Sequence, residues 1–345
     1  FEEPGDYEAL TAFDYGGHVA ALDLDDDGDT DLVAAQHGRA PTLYLNDGHA
    51  SFTRETLALE VPPELIPVTG MAWADFDDDG DFDVVLHGLY EVWAFRNDGD
   101  LRFEPGQRLF ALPHFRKGEI GAVTFGDLEG DGDLDGFITT FGFALDENGD
   151  PRPEEGVPDI ALLSVDGFAD HSMVLDVAHD GFGSSTLVGM ITDVDGDGLA
   201  DILAPSEGQV PGSLWRQQGE DRSGLPRFVD QAAELGWSRS MDAMGIDSAD
   251  LNGDGLLDYC VTLMGPPLCF ISLPSGAGFY ESGPALGLAD PEGFGPVIGW
   301  GLELADLDND GELDLIQASG PSFAMGDGDG SPQPMPDLLF HGQPG

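Results

Sequence analysis

Positive charge is the scarcest commodity in this chain. Twelve Lys and Arg residues stand against 67 Asp and Glu, for a formal net charge of −55 over 345 residues, and Lys117 is the only lysine. A field this negative repels polyanions, so neither nucleic acid nor an anionic membrane surface is expected as a partner. The lysine shortage fits either a saline habitat or simply an Asp-rich repeat. No apolar run approaches the roughly 20 residues of a membrane span, so direct membrane insertion is not expected. The chain starts at Phe1 without a charged, apolar leader, and we expect that a signal peptide has been removed. No Asn-x-Ser/Thr site is present, and cysteine occurs only at Cys260 and Cys269. The eight histidines are scattered, and no zinc-helix motif, nucleophile elbow or phosphate loop occurs. No catalytic residue can therefore be named, and an enzyme is not the expected reading. The 50 glycines and 24 prolines do not form one tract but punctuate the chain at turns, with 41% of residues hydrophobic.

What is abundant is periodic. A nine-residue pattern with acids or Asn at positions 1, 3, 5 and 9 and glycine at 6 occurs six times. The copies are Asp23, Asp25, Asp27, Gly28, Asp31; then Asp75, Asp77, Asp79, Gly80, Asp83; then Asp127, Glu129, Asp131, Gly132, Asp135. They continue with Asp193, Asp195, Asp197, Gly198, Asp201; then Asp250, Asn252, Asp254, Gly255, Asp258; and finally Asp306, Asp308, Asp310, Gly311, Asp314. Successive copies start 52, 52, 66, 57 and 56 residues apart.

This spacing suits a calcium ion, which takes 6–8 oxygen ligands and prefers carboxylates. A tight loop turns the side chains at 1, 3 and 5 toward one centre, and the acid at 9 closes the site. The backbone carbonyl at 7 then faces the ion, so that residue is free to vary: it is Asp29, Asp81, Asp133, Leu199, Leu256 or Glu312. Without a cation the cluster is costly, since one like-charge pair at 4 Å opposes it by about 4 kcal/mol at an effective dielectric of 20. About six calcium ions per chain are expected, which would bring −55 only to −43. An EF-hand is excluded. Its loop needs Glu at position 12, where this chain has Ala34, Leu86, Ile138, Ala204, Val261 and Gln317.

Each loop is flanked by apolar runs of strand length. A small-residue strand leads in, as in 17–22, 70–74, 187–191 and 299–304, and a second strand starts at the ninth-position acid. A third follows, as in 42–45, 92–95, 159–163, 213–215, 268–271 and 337–340, and a fourth opens at Phe52, Phe103, Phe168, Phe228 and Phe279. The sixth copy has no fourth strand, but residues 1–10 match the fourth-strand pattern. The expected fold is all-β: a six-bladed β-propeller of four antiparallel strands per blade, closed by the N-terminal strand, with a seven-bladed arrangement as the less favoured count. It is expected as one domain over 1–345, with blades near 11–60, 61–110, 111–176, 177–235, 236–289 and 290–345 plus 1–10. Cys260 and Cys269 fall on neighbouring antiparallel strands, and a disulfide is expected between them.

The stretches 305–315 and 249–258 resemble the FG-GAP/VCBS repeat of integrin α-chain propellers and many secreted bacterial proteins, and they are also similar to the propeller of cartilage acidic proteins. The resemblance covers nearly the whole chain and implies a calcium ion in the loop between strands one and two of each blade. It carries over in full to copies one, two, four and six. Copy three departs with Glu129 and copy five with Asn252, both oxygen donors. The Phe-Gly and Gly-Ala-Pro signatures of the integrin repeat are mostly absent, and integrins have seven blades where six motifs occur here.

Members of such families serve as adhesion modules, lectins, lyase scaffolds and assembly parts. The expectation is a secreted or cell-surface, calcium-binding module with a protein partner, as in adhesion or an extracellular assembly. A glycan-binding propeller is the alternative, and a polysaccharide-active enzyme on the same scaffold a more distant one. The binding surface is expected on the face opposite the calcium loops. That face would collect the long insertions 143–159 and 323–337 and the links carrying Arg116, Lys117 and Arg239.

Overall fold

A computed structural model describes residues 18–35, 41–49, 51–77, 79–99, 101–112, 118–141, 144–145, 151–152, 158–165, 168–174, 185–207, 211–222, 224–289, 297–320 and 335–342. The chain divides into two compact units, Phe1–Leu112 and Pro113–Gly345. The first holds two four-stranded antiparallel sheets, β1 (His18–Leu22), β2 (Asp31–Ala35), β3 (Thr42–Asn46), β4 (Phe52–Thr56) and β5 (Val68–Ala74), β6 (Asp83–Gly88), β7 (Glu91–Phe95), β8 (Gln107–Ala111).

The second unit holds four sheets. One contains β9 (Glu119–Gly126), β10 (Asp135–Phe141), β13 (Ile160–Val165) and β14 (Phe168–Val174), with a separate hairpin of β11 (Ala144–Leu145) and β12 (Pro151–Arg152) inserted between β10 and β13. The next is β15 (Met190–Thr192), β16 (Asp201–Ala204), β17 (Ser213–Glu220), β18 (Pro226–Asp230), followed by the short helix α1 (Ala232–Leu235). Then come β19 (Gly245–Ala249), β20 (Asp258–Leu263), β21 (Gly265–Ser272), β22 (Phe279–Glu281), and last β23 (Gly299–Ala305), β24 (Asp314–Ser319), β25 (Leu338–Phe340). Six meandering sheets in succession are the blades of an all-β propeller.

In blades two to five the second strand is buried on both faces, with sheet on both its edges. Every residue of β6 is buried, as are those of β16 and all but the last of β10 and β20. Their sequences are correspondingly aliphatic and aromatic, with Val84, Leu86, Phe137, Ile202, Tyr259 and Val261 inaccessible. The outer strand β4, Phe-Thr-Arg-Glu-Thr, is exposed along its whole length.

Three local readings need correction. Phe103 does not open a fourth strand. It bridges to Asn97 and lays its ring against Trp73, and β8 starts only at Gln107. Pro105 has no N–H to give the ladder, which accounts for the delay. Phe228 lies in the middle of β18 rather than at its start. The leading strand of blade four is only Met190–Thr192, not 187–191. Blade six has three strands among the described residues, and the expected closing strand at 1–10 lies outside them.

A large buried cluster forms around Trp237. Gly236 ends α1 at φ 82°, a left-handed turn that leaves no room for a side chain: a Cβ there would meet the Phe279 carbonyl oxygen at 2.8 Å. The turn drives the Trp237 ring among Phe270, Phe279 and Tyr259, at centroid distances of 4.5, 5.8 and 6.3 Å. Cys260 and Cys269 stand directly opposite each other on β20 and β21 and are disulfide-bonded.

Truncating Trp237 should open a cavity at the centre of this cluster. Trp237→Ala is expected to lose about 3–5 kcal/mol of stability in denaturant unfolding. The indole N–H has no hydrogen-bond partner, so Trp237→Phe should cost clearly less. Equal losses for the two variants would show that the ring volume is not what matters.

Candidate metal centres

The six acidic loops connect the first and second strands of the six blades, and they share one backbone construction. The position-six glycines have φ between 86° and 101°, which side chains disfavour. Position four is left-handed as well: Asp26, Gly130, Gly196, Gly253 and Asn309 have φ of 57–74°. These are the residue types that tolerate that region, a second constraint that the sequence reading did not register. Between these two bends the backbone turns its N–H groups inward. The position-one carboxylate accepts from the N–H groups at positions five and six in all six loops, as Asp23 does from Asp27 and Gly28 at 3.1 and 2.9 Å.

The position-nine acid does more than close the loop. Asp31, Asp83, Asp135, Asp201, Asp258 and Asp314 are all at most 2% exposed. Each accepts two backbone hydrogen bonds that tie separate strands together. One oxygen takes the N–H at position two of its own loop, from Leu24, Phe76, Leu128, Val194, Leu251 and Leu307 at 2.7–3.1 Å. The other takes an N–H at the end of the third strand, from Asn46, Asn97, Ser164, Gln217, Ser272 and Gly342 at 2.7–2.9 Å. The ninth residue is thus a strut between loop and blade, whatever else it binds.

Acidic oxygens converge accordingly. Asp23, Asp25 and Asp27; Asp75, Asp77 and Asp83; Asp193, Asp195 and Asp197; and Asp306, Asp308 and Asp310 each bring three ligand atoms within 4.8 Å of one another. Loops three and five, with Glu129 and Asn252 at position three, do not form such a three-acid group among the described residues. The donor sets are all oxygen and suit a hard divalent cation.

The residue preceding the third-strand N–H donor alternates in type along the chain. It is Leu45, Leu163 or Ile271 in blades one, three and five, but Arg96, Arg216 and His341 in blades two, four and six. Arg96 lies 3.4 Å from Asp77. Arg216 pairs with Asp195 and lies 3.8 Å from Asp197. His341 places Nδ1 3.3 Å from Asp314 and 3.7 Å from Asp308. Sequence reasoning missed all three, because only the register of the third strand puts them beside the acids.

Of the basic residues expected to mark a partner surface, Arg116 and Lys117 lie outside the described residues, as do most of 143–159 and 323–337. Arg239 is paired with Glu281 at 2.5 Å.

Burial raises several of the acids. Asp83, Asp135 and Asp201 are pushed up to about 6, chiefly by desolvation and against the backbone hydrogen bonds they accept. Glu129 is pushed up to about 7, by desolvation and then by the Asp135 and Asp131 charges. Asp258 is raised for the same leading reason, whereas the Gly342 N–H and then Leu307 and His341 hold Asp314 below the usual carboxylate range.

Two outcomes follow for protein stripped of metal. Asp201→Ala leaves two buried N–H groups unsatisfied and should destabilise it by about 2–6 kcal/mol, at 1–3 per orphaned donor. An unchanged denaturation midpoint would refute the strut. The raised acids bind more protons folded than unfolded between about pH 4 and 7, so stability falls as pH rises across that window. The metal-free chain should therefore melt higher at pH 5 than at pH 7.5 in scanning calorimetry, and the reverse order would contradict the shifts.

The FG-GAP-like repeat model matches residues 23–86, 75–138 and 193–261. No curated protein matches the chain. Among solved structures, the fold is similar to that of an Agrocybe aegerita lectin described for specific recognition of non-reducing terminal N-acetylglucosamine, with 18% identity, 94% of this chain and 80% of that chain covered, and a TM-score of 0.54. A Bacillus licheniformis rhamnogalacturonan lyase matches with 14% identity over 91% of this chain and 61% of that one, at a TM-score of 0.44. The V. cholerae biofilm matrix protein Bap1 matches with 10% identity over 89% and 66%, at 0.41.

Proposed function

Because the chain belongs to the FG-GAP-like repeat family, we propose that it is a calcium-stabilised recognition propeller that works outside the cell. The observation that carries this reading is the sixfold repetition of one loop geometry, with the position-one carboxylate braced and the ninth acid clamped in every blade. A loop held this way keeps its acids together at a cost that a cation relieves. Calcium matches the oxygen donors and the nine-residue spacing. The residues in question are those at positions 1, 3, 5 and 9 and the carbonyls at position 7. An extracellular location is supported by the usual setting of FG-GAP repeats and by the Cys260–Cys269 disulfide, since such bonds persist in oxidising compartments.

The role is binding rather than catalysis, with a protein partner as the first reading. Calcium turns lie at one end of each blade, where strand one meets strand two. The loops between strands two and three lie at the other end and include the two longest insertions, which makes that end the recognition surface. A glycan ligand is the second reading. The lectin of similar fold recognises terminal N-acetylglucosamine, and that sugar is the first to try.

Elemental analysis should find about six calcium ions per chain, and chelation should lower the melting temperature steeply. Each site contributes about 2.7 kcal/mol at a hundredfold ligand excess over Kd. A melting curve indifferent to chelator would reduce the loops to acidic turns. On a glycan array, binding to N-acetylglucosamine-terminated glycans would select the second reading over the first.

A further inference from the structure

We propose that the sixth loop is a mixed nitrogen and oxygen site that takes a first-row transition-metal ion through His341, Asp308 and Asp314. His341 is the only one of the six third-strand neighbours that can coordinate a metal. Leu45, Leu163 and Ile271 offer no donor atom. Arg96 and Arg216 offer only N–H donors and no lone pair for a metal.

In loop six the donor atoms of Asp308, Asp314 and His341 all lie within 4.8 Å of one another. The distances from His341 Nδ1, 3.3 Å to Asp314 Oδ1 and 3.7 Å to Asp308 Oδ2, fit a shared ion. Ligands about 2.1 Å from an octahedral centre stand about 3.0 Å apart when adjacent and about 4.2 Å when opposite. An imidazole nitrogen is a poor ligand for calcium but a good one for nickel, zinc or copper, so the same geometry changes the ion preferred. The site is also anchored. Asp314 is held by the N–H groups of Leu307 and Gly342, and Gly342 follows His341 directly, so strut and ligand are positioned by one turn of backbone. The His341 side chain is 54% exposed, which leaves open positions for water. Asp308 also belongs to the all-oxygen group with Asp306 and Asp310, so loop six offers two overlapping donor sets.

The proposal does not rest on calcium filling the other loops, and the test reads the two separately. Nickel alone and calcium alone are titrated calorimetrically into the metal-stripped 345-residue chain and its His341→Ala variant. The wild type should show a nickel site that weakens by about 10–100-fold or more in His341→Ala, while the calcium isotherm keeps its stoichiometry. Because His341 is half exposed, His341→Ala should melt with the wild type. A nickel isotherm unchanged by His341→Ala, or no nickel site in the wild type, would overturn the proposal. Nickel binding without calcium binding would support it while removing the calcium reading of the fold.

Discussion

One buried carboxylate per blade holds this architecture in place. Six times, an aspartate at the start of a second strand gives one oxygen to the N–H at position two of its loop and the other to an N–H at the end of the third strand. A buried carboxylate is tolerable only when both oxygens are satisfied. Here two backbone donors that would otherwise be stranded in the interior satisfy it. The loop is thereby locked to the blade, and in loops one, four and six the acids at positions one, three and five are brought together even though they repel.

That repulsion organises the rest of the site. A chain with 67 acids and 12 basic residues cannot neutralise its loops by ion pairing throughout. Two means of compensation are visible. Arg96 and Arg216 carry charge into loops two and four from the third strand. Protonation is favoured at Asp83, Asp135, Asp201 and Glu129, which burial raises to about 6 or 7. A cation where the oxygens converge is the third, and the one we propose. The six loops are therefore not equivalent, although their backbones are nearly identical. Blades one, three and five present an aliphatic side chain where blades two, four and six present Arg, Arg and His.

The apolar interior follows a more ordinary rule. The second strands of blades two to five are buried on both faces, while β4 at a blade's outer edge is fully exposed and polar apart from Phe52. Aromatic residues fill the wider gaps. Trp237 reaches its cluster from a link between blades four and five, delivered by the left-handed Gly236. The same link carries Arg239. In the structure that arginine is paired with Glu281 and the tryptophan beside it is wholly inaccessible.

The sequence by itself determined the repeat, the blade count and the all-β class. These depend on local periodicity: acids two residues apart, a glycine where φ must be positive, and apolar runs of strand length on either side. It also pointed to the acids at positions one, three and five, which converge in loops one, four and six because they lie within a single turn, whereas loop two gathers positions one, three and nine. Tertiary structure decided what those acids meet. Phe103 left the strand pattern because Pro105 cannot donate to a ladder, and the ninth acid became a strut because an N–H some 14 to 29 residues away came into register with it. Arg96, Arg216 and His341 have no sequence relation to the loops they enter. Only the pairing of second and third strands, which converts a separation along the chain into a contact of a few ångströms, places them there.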